Sequence, residues 1–201
     1  SSTSRGLGDV YKRQVNNVET LAAAAGILLN GAEKFAAIGN KKSAGTKLVC
    51  FDSFFNNPGV YEIEMGTPMK KVLNDIGGGF KEPIKALQIG GPLGGVIPIA
   101  EAEKLNLDFQ EFTAAGFMLG HASIVSIPKD FPMVEYIHHL FEFTAEESCG
   151  KCFPGRLGSY RGKEMFDQLK SKTAKIPLKV LNDLLLTLSL IHISEPTRRR
   201  G

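Results

Sequence analysis

The apolar residues change period once along this chain. Between Lys47 and Gly90 they fall in short runs parted by turn signals, and from Pro132 onward they recur at every third or fourth position. Side chains alternate faces in a strand and return to one face after about 3.6 residues in a helix, so strands come first and helices follow, an α+β arrangement. KLVCF, Lys47 to Phe51, predicts a strand, and Asn56-Asn57-Pro58-Gly59 a turn. GVYEIEM, with Val60, Tyr61, Ile63 and Met65 as its apolar set, is then the returning strand of a hairpin. Thr67 offers an N-cap with Pro68 at the first helical position; Val72, Leu73 and Ile76 supply a stripe, and the glycines at 77 to 79 stop the helix. KALQIG predicts a third strand, and GGPLGGVIP, Gly90 to Pro98, a tight backbone rather than another regular element. Strand, strand, helix, strand over residues 39–100 points to a small β-grasp unit.

Upstream, Asn16 or Asn17 can cap a helix over Asn17 to Asn30, with Glu19 in its first turn and Gly31 at its end. Downstream, residues 101–187 read as a helical bundle. Pro132 starts a face of Met133, Ile137, Leu140, Phe141 and Thr144 that runs up to two cysteines. Gly155 to Lys170 and Leu178 to Leu186 continue in helix, with Pro177 between them.

The two ends stand apart from this plan. Ser4 to Gln14, SRGLGDVYKRQ, can be written in codons whose reverse complement reads LSLIHISEPTR, which is Leu188 to Arg198. The shared stretch resembles a transposon-end sequencing adapter, so residues 1–14 and 188–201 are read as appended sequence and residues 15–187 as an internal fragment of a longer protein. Without the ends, Lys+Arg falls from 24 to 18 and Asp+Glu from 21 to 19, and the formal charge moves from +3 to −1. The basic balance is therefore no argument for a nucleic-acid partner or for an anionic membrane, and isolated pairs such as Lys41-Lys42 lack interleaved aromatics. The longest apolar run, AAAAGILL, is too short to span a bilayer, so no direct membrane insertion is expected. Three cysteines without a secretory leader argue against a disulfide scaffold, and the expected place is the cytoplasm, with or without peripheral attachment to a membrane complex.

The chemistry sits in ESCGKCFPGR, Glu147 to Arg156. Cys149 and Cys152 have the spacing of two soft ligands for an iron-sulfur cluster, and Gly155 stands in the next slot. Three readings are open: cluster ligation, a redox dithiol, and a structural turn. The dithiol reading wants the motif after a strand and at the start of a helix, whereas Cys149 follows a long predicted helix. Zinc would want a second pair.

The wider segment FTAEESCGKCFPGR resembles the FxxEESCGKCxPCR stretch of the flavoprotein, NADH-binding subunit of respiratory complex I and of its relatives in NAD-linked formate dehydrogenases and NAD(P)-coupled hydrogenases. VNNVETLA, GTKLVCF, PGVYEIEMGTP and IGGPLGG agree with the same family in order, so the resemblance covers residues 15–187. It implies the end of a flavin and NADH domain with a linking helix at 15–38, a β-grasp domain of the soluble-ligand-binding type at 39–100, and a truncated bundle holding a 4Fe-4S cluster at 101–187. It also implies that Cys149 and Cys152 are cluster ligands, that Asn16, Asn17 and Thr20 lie at the flavin mononucleotide (FMN), and that no catalytic residue lies in this stretch. The family activity is NADH oxidation or NAD reduction. Electrons pass from FMN through the cluster to partner subunits of an oxidoreductase complex, including an iron-sulfur electron-transfer subunit. Gly155 replaces the third ligand, a change one base wide, and the fourth falls near Leu188 or beyond. The fragment alone is therefore expected to be inactive, and a cluster-free β-grasp and helical scaffold is the alternative.

Other candidates carry less. Cys50 alternates with apolar residues and reads as a buried small hydrophobe. His138 and His139 are adjacent on a helix, so they diverge by about 100° and cannot chelate one ion; both read as surface or half-buried. His121 reads as packing against the bundle, Lys151 as solvated, and GGPLGG as a tight turn rather than a phosphate cradle.

Overall fold

The computed structural model describes residues 17–92, 94–173 and 175–198, with side chains only as far as residue 188. Asn16 and the stretch 1–15 lie outside the described residues, as do residues 199–201. Helix α1, Val18–Asn30, starts where Asn17 Oδ1 accepts the Glu19 N–H at 2.8 Å and ends at Gly31. A short α2, Ala32–Ala36, follows. No residue of α1 is buried. The helix is held to the next element by Glu19, which pairs with Lys47 and accepts the Leu48 N–H at 2.9 Å. Burial would raise the Glu19 pKa, but the Lys47 ammonium and the Leu48 amide outweigh it and hold the carboxyl below its ordinary value.

Strands β1, Thr46–Phe51, and β2, Gly59–Glu64, form the expected antiparallel hairpin, with Cys50 opposite Val60. Their register sends Val49, Phe51, Ile63 and Met65 inward, which leaves Leu48, Cys50 and Val60 exposed. Cys50 is thus not the buried hydrophobe that the sequence predicts: strict alternation beside inward Val49 and Phe51 turns it outward. After the hairpin, helix α3, Met69–Lys71, runs on as a π-helical turn, Val72–Ile76. Its cap position is Pro68, because the Thr67 hydroxyl donates instead to the Glu64 carbonyl at 2.7 Å. Val72 and Leu73 are fully buried, as the stripe requires.

Strand β3, Ile84–Ile89, is followed by a tight turn and then by β4, Gly95–Pro98, so the glycine-rich segment does contain a strand. The turn needs its glycines for close approach: a Cβ on Gly90 would lie 2.7 Å from the Leu119 carbonyl oxygen, and one on Gly91 would lie 2.4 Å from the His121 ring. His121 therefore packs on this loop and not on the bundle. Helices α4, Ile99–Ala102, and α5, Phe109–Ala114, lead into β5, Ser123–Pro128. Asp108 caps α5 through the Gln110 and Glu111 amides and also accepts Asn40 Nδ2 at 2.8 Å, which ties residue 40 to the sheet unit.

Strand β5 lies where the sequence pattern predicts only helices, in the stretch after residue 100. It fills the middle of the five-stranded sheet, order β2-β1-β5-β3-β4, parallel to β1 and antiparallel to β3. The architecture is mixed α and β. The core of the sheet unit includes Val49, Phe55, Leu73, Leu87, Ile97 and Phe112.

Three longer helices complete the chain: α6, Met133–Glu147, α7, Ser159–Lys170, entered through a π-helical turn at Pro154–Gly158, and α8, Leu178–Arg198. Helix α8 runs without a break through Leu188, where the appended stretch is expected to begin. Phe141 stacks on Phe166 at 5.5 Å, and Gly162 lets α7 come against the same Phe141 ring. Among the described residues no helix is long and apolar enough to cross a membrane.

Candidate functional site

The site is the turn between α6 and α7. Helix α6 stays regular for fifteen residues because it follows Pro132, has no internal glycine or proline, and buries Phe141 and Ala145 against α7. Side-chain pairs show the two helices antiparallel: Phe141 lies over Gly162, Glu142 reaches Lys163 at 2.8 Å, and His138 Nε2 meets Asp167 Oδ1 at 2.7 Å. His138 is buried, not at the surface as the sequence suggests, because Asp167 on the neighbouring helix satisfies its ring nitrogen; His139, one position on, is exposed. The Lys163 ammonium holds the Glu142 carboxyl below its ordinary pKa, and Glu142 raises Lys163 in return. Both are solvent-facing, so the pair orders the surface more than it stabilises the fold.

The chain leaves α6 at Ser148 and passes through Cys149, Gly150 and Lys151 to a bend at Cys152. Ser148 Oγ accepts the Gly150 N–H at 3.3 Å, and the Arg156 guanidinium donates to the Gly150 carbonyl at 3.3 Å. The Arg156 backbone N–H donates to the Cys152 carbonyl at 3.0 Å, which makes Cys152 the residue on which the next helical run starts. Cys149 is exposed, Cys152 half-buried, and both thiols are free. Lys151 is exposed, as expected.

Position 155 falls in the π-helical turn, where the Gly155 carbonyl accepts the Ser159 hydroxyl at 2.6 Å. Glycine has no side chain to offer, and no group of three or more His, Cys, Asp or Glu among the described residues could hold a metal ion. A four-iron cube wants four thiolates or their equivalents. The donor set of two does not fit that group as the chain stands.

Of the other expected site residues, Asn17 and Thr20 lie on α1 or at its start, and Asn16 lies outside the described residues. Asn17 uses its side-chain oxygen to cap α1, and Thr20 is exposed on the same helix. They share a helix end with one another and not with the cysteines.

A polar clasp that sequence reasoning misses links the helix bearing the loop to the sheet. The Tyr136 hydroxyl on α6 donates to Gln88 Oε1 on β3, while Gln88 Nε2 donates to the Pro92 carbonyl in the glycine-rich turn at 3.0 Å. Burial, helped by the nearby Asp52 charge, raises the Tyr136 pKa above its ordinary value. Its one signal in the sequence is a glutamine inside an apolar strand, KALQIG. Gln88 is only 4% exposed. Tyr136→Phe, which leaves that amide oxygen without its donor, is expected to cost about 1–3 kcal/mol in a denaturant titration. An unchanged midpoint would show that water replaces the phenol.

Residues 135–190 match the NADH-ubiquinone oxidoreductase-F iron-sulfur binding region family. The chain is 36% identical over 173 residues to an NADP-reducing hydrogenase subunit, HndC, of Solidesulfovibrio fructosivorans, covering 85% of this chain and 35% of that one. It is 40% identical over 147 residues to the F subunit of the NADH-quinone oxidoreductase of Escherichia coli (strain K12), covering 72% and 33%. Among solved structures, an NAD+-reducing [NiFe]-hydrogenase in the H2-reduced state superposes with a TM-score of 0.74 at 29% identity, covering 88% of this chain and 29% of that one. The chain thus spans about a third of the length of the curated relatives it matches.

Proposed function

From the match of residues 135–190 to the iron-sulfur binding region of NADH-ubiquinone oxidoreductase F, we propose that this chain is the sheet-and-bundle part of a subunit moving electrons between a nicotinamide nucleotide and a partner subunit. The sheet unit takes the part of a β-grasp domain, supported by the parallel pairing of β1 with β5 at its centre. Its boundary with the bundle lies after β5, near residue 130. Asn16, Asn17 and Thr20 approach the FMN held by the remainder of such a subunit. The partners are other subunits of an oxidoreductase complex, an iron-sulfur electron-transfer subunit among them.

One observation carries the reading. Helix α6 delivers a CxxC loop to the end of a braced antiparallel helix pair, and the clasp at Tyr136 fixes that helix to the sheet. A 4Fe-4S cluster, when bound, would supply one-electron carriage at such a loop. The chain's own residues hold the loop: Arg156 draws in its apex, Ser148 caps its start, and Cys149 and Cys152 offer thiolates.

The test is a hybrid in which residues 17–187 replace the matching third of the Escherichia coli protein. It is expected to bind flavin and to reduce an artificial acceptor with NADH, while electrons reach the partner subunits only when the hybrid also carries Gly155→Cys. A hybrid that folds yet neither binds flavin nor assembles with its partners would overturn the reading in favour of a scaffold.

A further inference from the structure

We infer that Glu19 is a latch: its carboxylate fixes the start of α1 to β1, and α1 is a strap fastened there and hinged at its other end, at Gly31. The latch decides where Asn17 and Thr20 stand. What those two residues meet belongs to the reading above, on which the latch does not depend.

The backbone of β1 shows why a carboxylate is wanted at this place. Amides two residues apart in a strand point to the same side. The Cys50 N–H donates to the Ala122 carbonyl at 3.4 Å, on the side where β5 runs. Strand β5 pairs with β1 only at Cys50 and Phe51, so the Leu48 N–H, two residues earlier, lies beyond the end of that ladder. Glu19 Oε1 stands in for the missing carbonyl and accepts the Leu48 N–H at 2.9 Å. The second oxygen, Oε2, pairs with the Lys47 ammonium, whose side chain is only 9% exposed. An amide without a strand partner and a nearly buried ammonium thus meet one carboxylate, and bonds of this charge-assisted kind are among the strong ones.

Among the described residues, little else holds α1. None of its residues is buried, and Leu28 and Leu29 near its far end are exposed. A helix of 13 residues is marginal by itself in water. A groove of about 610 Å³ lies between α1, α2 and the hairpin, lined by Ala22, Ala23, Gly26, Ile27, Phe35 and Leu48, so the helix stands beside the sheet without filling the space. At the other end Gly31 has φ 94, in the left-handed region that glycine enters freely. The chain pivots there with no side chain to strain.

The experiment follows amide hydrogen exchange by NMR in the full chain. Glu19→Ala is expected to speed exchange of the α1 amides and of Leu48 by about tenfold or more, as befits a lost hydrogen bond to a charged group, while amides of β3 and β5 keep the parent rates. Leu28→Ala, at an exposed position on the same helix, is expected to change neither set. Glu19→Gln keeps an acceptor for Leu48 but gives up the ion pair, so its effect is expected to fall between. Adding Lys47→Met to Glu19→Ala is expected to be less than additive, because the ammonium has already lost its partner. Parent exchange rates throughout α1 in Glu19→Ala would overturn the latch. An equal rise in β3 and β5 would overturn it too, by making Glu19 a support of the whole sheet. Failure of the hybrid above to bind flavin bears on the family function alone, so the two readings fail separately.

Discussion

Gly162→Val is expected to cost about 3 kcal/mol and to loosen the helical half of the molecule. Even a bare Cβ at this position would lie 2.1 Å from Cε1 and 2.2 Å from Cδ1 of Phe141, where carbon atoms ordinarily rest at about 3.5–4.0 Å. The ring cannot simply swing aside, because its other face is stacked on Phe166 at 5.5 Å with 25° between the planes. Relief therefore requires α6 and α7 to separate, and with them the His138–Asp167 and Glu142–Lys163 contacts. Guanidinium unfolding followed by circular dichroism measures the loss. Adding Phe141→Ala should recover part of it, since the clash and the stacking share one ring, and the double-mutant cycle would then be strongly non-additive. A valine variant with the parent midpoint would mean that the helices are not seated on this glycine.

Gly155→Cys is expected to turn the loop from a site that retains no cluster into one that does, provided the chain is extended through its natural downstream sequence to a fourth ligand. Two thiolates grip too few corners of a cube to resist loss of iron to solvent, while three on one loop hold it by a single stretch of backbone. Position 155 follows Cys152 by the same three residues that separate Cys152 from Cys149, and it lies in the turn that begins the next helix. Anaerobic reconstitution should raise bound iron from near zero to about four per chain and bring up a visible thiolate-to-iron charge-transfer band. Unchanged iron content in a well-folded variant would remove the cluster reading of this loop.

Much of the local structure is legible because local physics decides it. Asn17 caps α1 and Val72 and Leu73 point inward, each as nearest neighbours in sequence dictate. The β1–β2 hairpin forms as expected but through residues 52–58, with Asn56 and Asn57 bonded to residues 76–79 rather than closing a turn of their own. Thr67 fails as a cap because its hydroxyl reaches the Glu64 carbonyl instead. Strand β5 escapes a sequence reading for a different reason. Its six residues form a strand only by pairing with β1, more than seventy residues earlier, and with β3 on the other side. Gln88 and Tyr136 likewise give no sign of each other from 48 residues apart.

The candidate site divides in the same way. The CxxC spacing, the missing third cysteine and the family likeness are properties of the order of residues, and no fold is needed to read them. That Cys149 is exposed, that Cys50 faces outward and that His138 is buried against Asp167 come only from tertiary packing, since burial depends on which distant surface arrives. The order of the cysteines is written along the chain, whereas reach and access belong to the crossing of α6 with α7. A single glycine beneath Phe141 sets how closely those helices meet, and closeness is a property of two surfaces that neither segment of sequence contains alone.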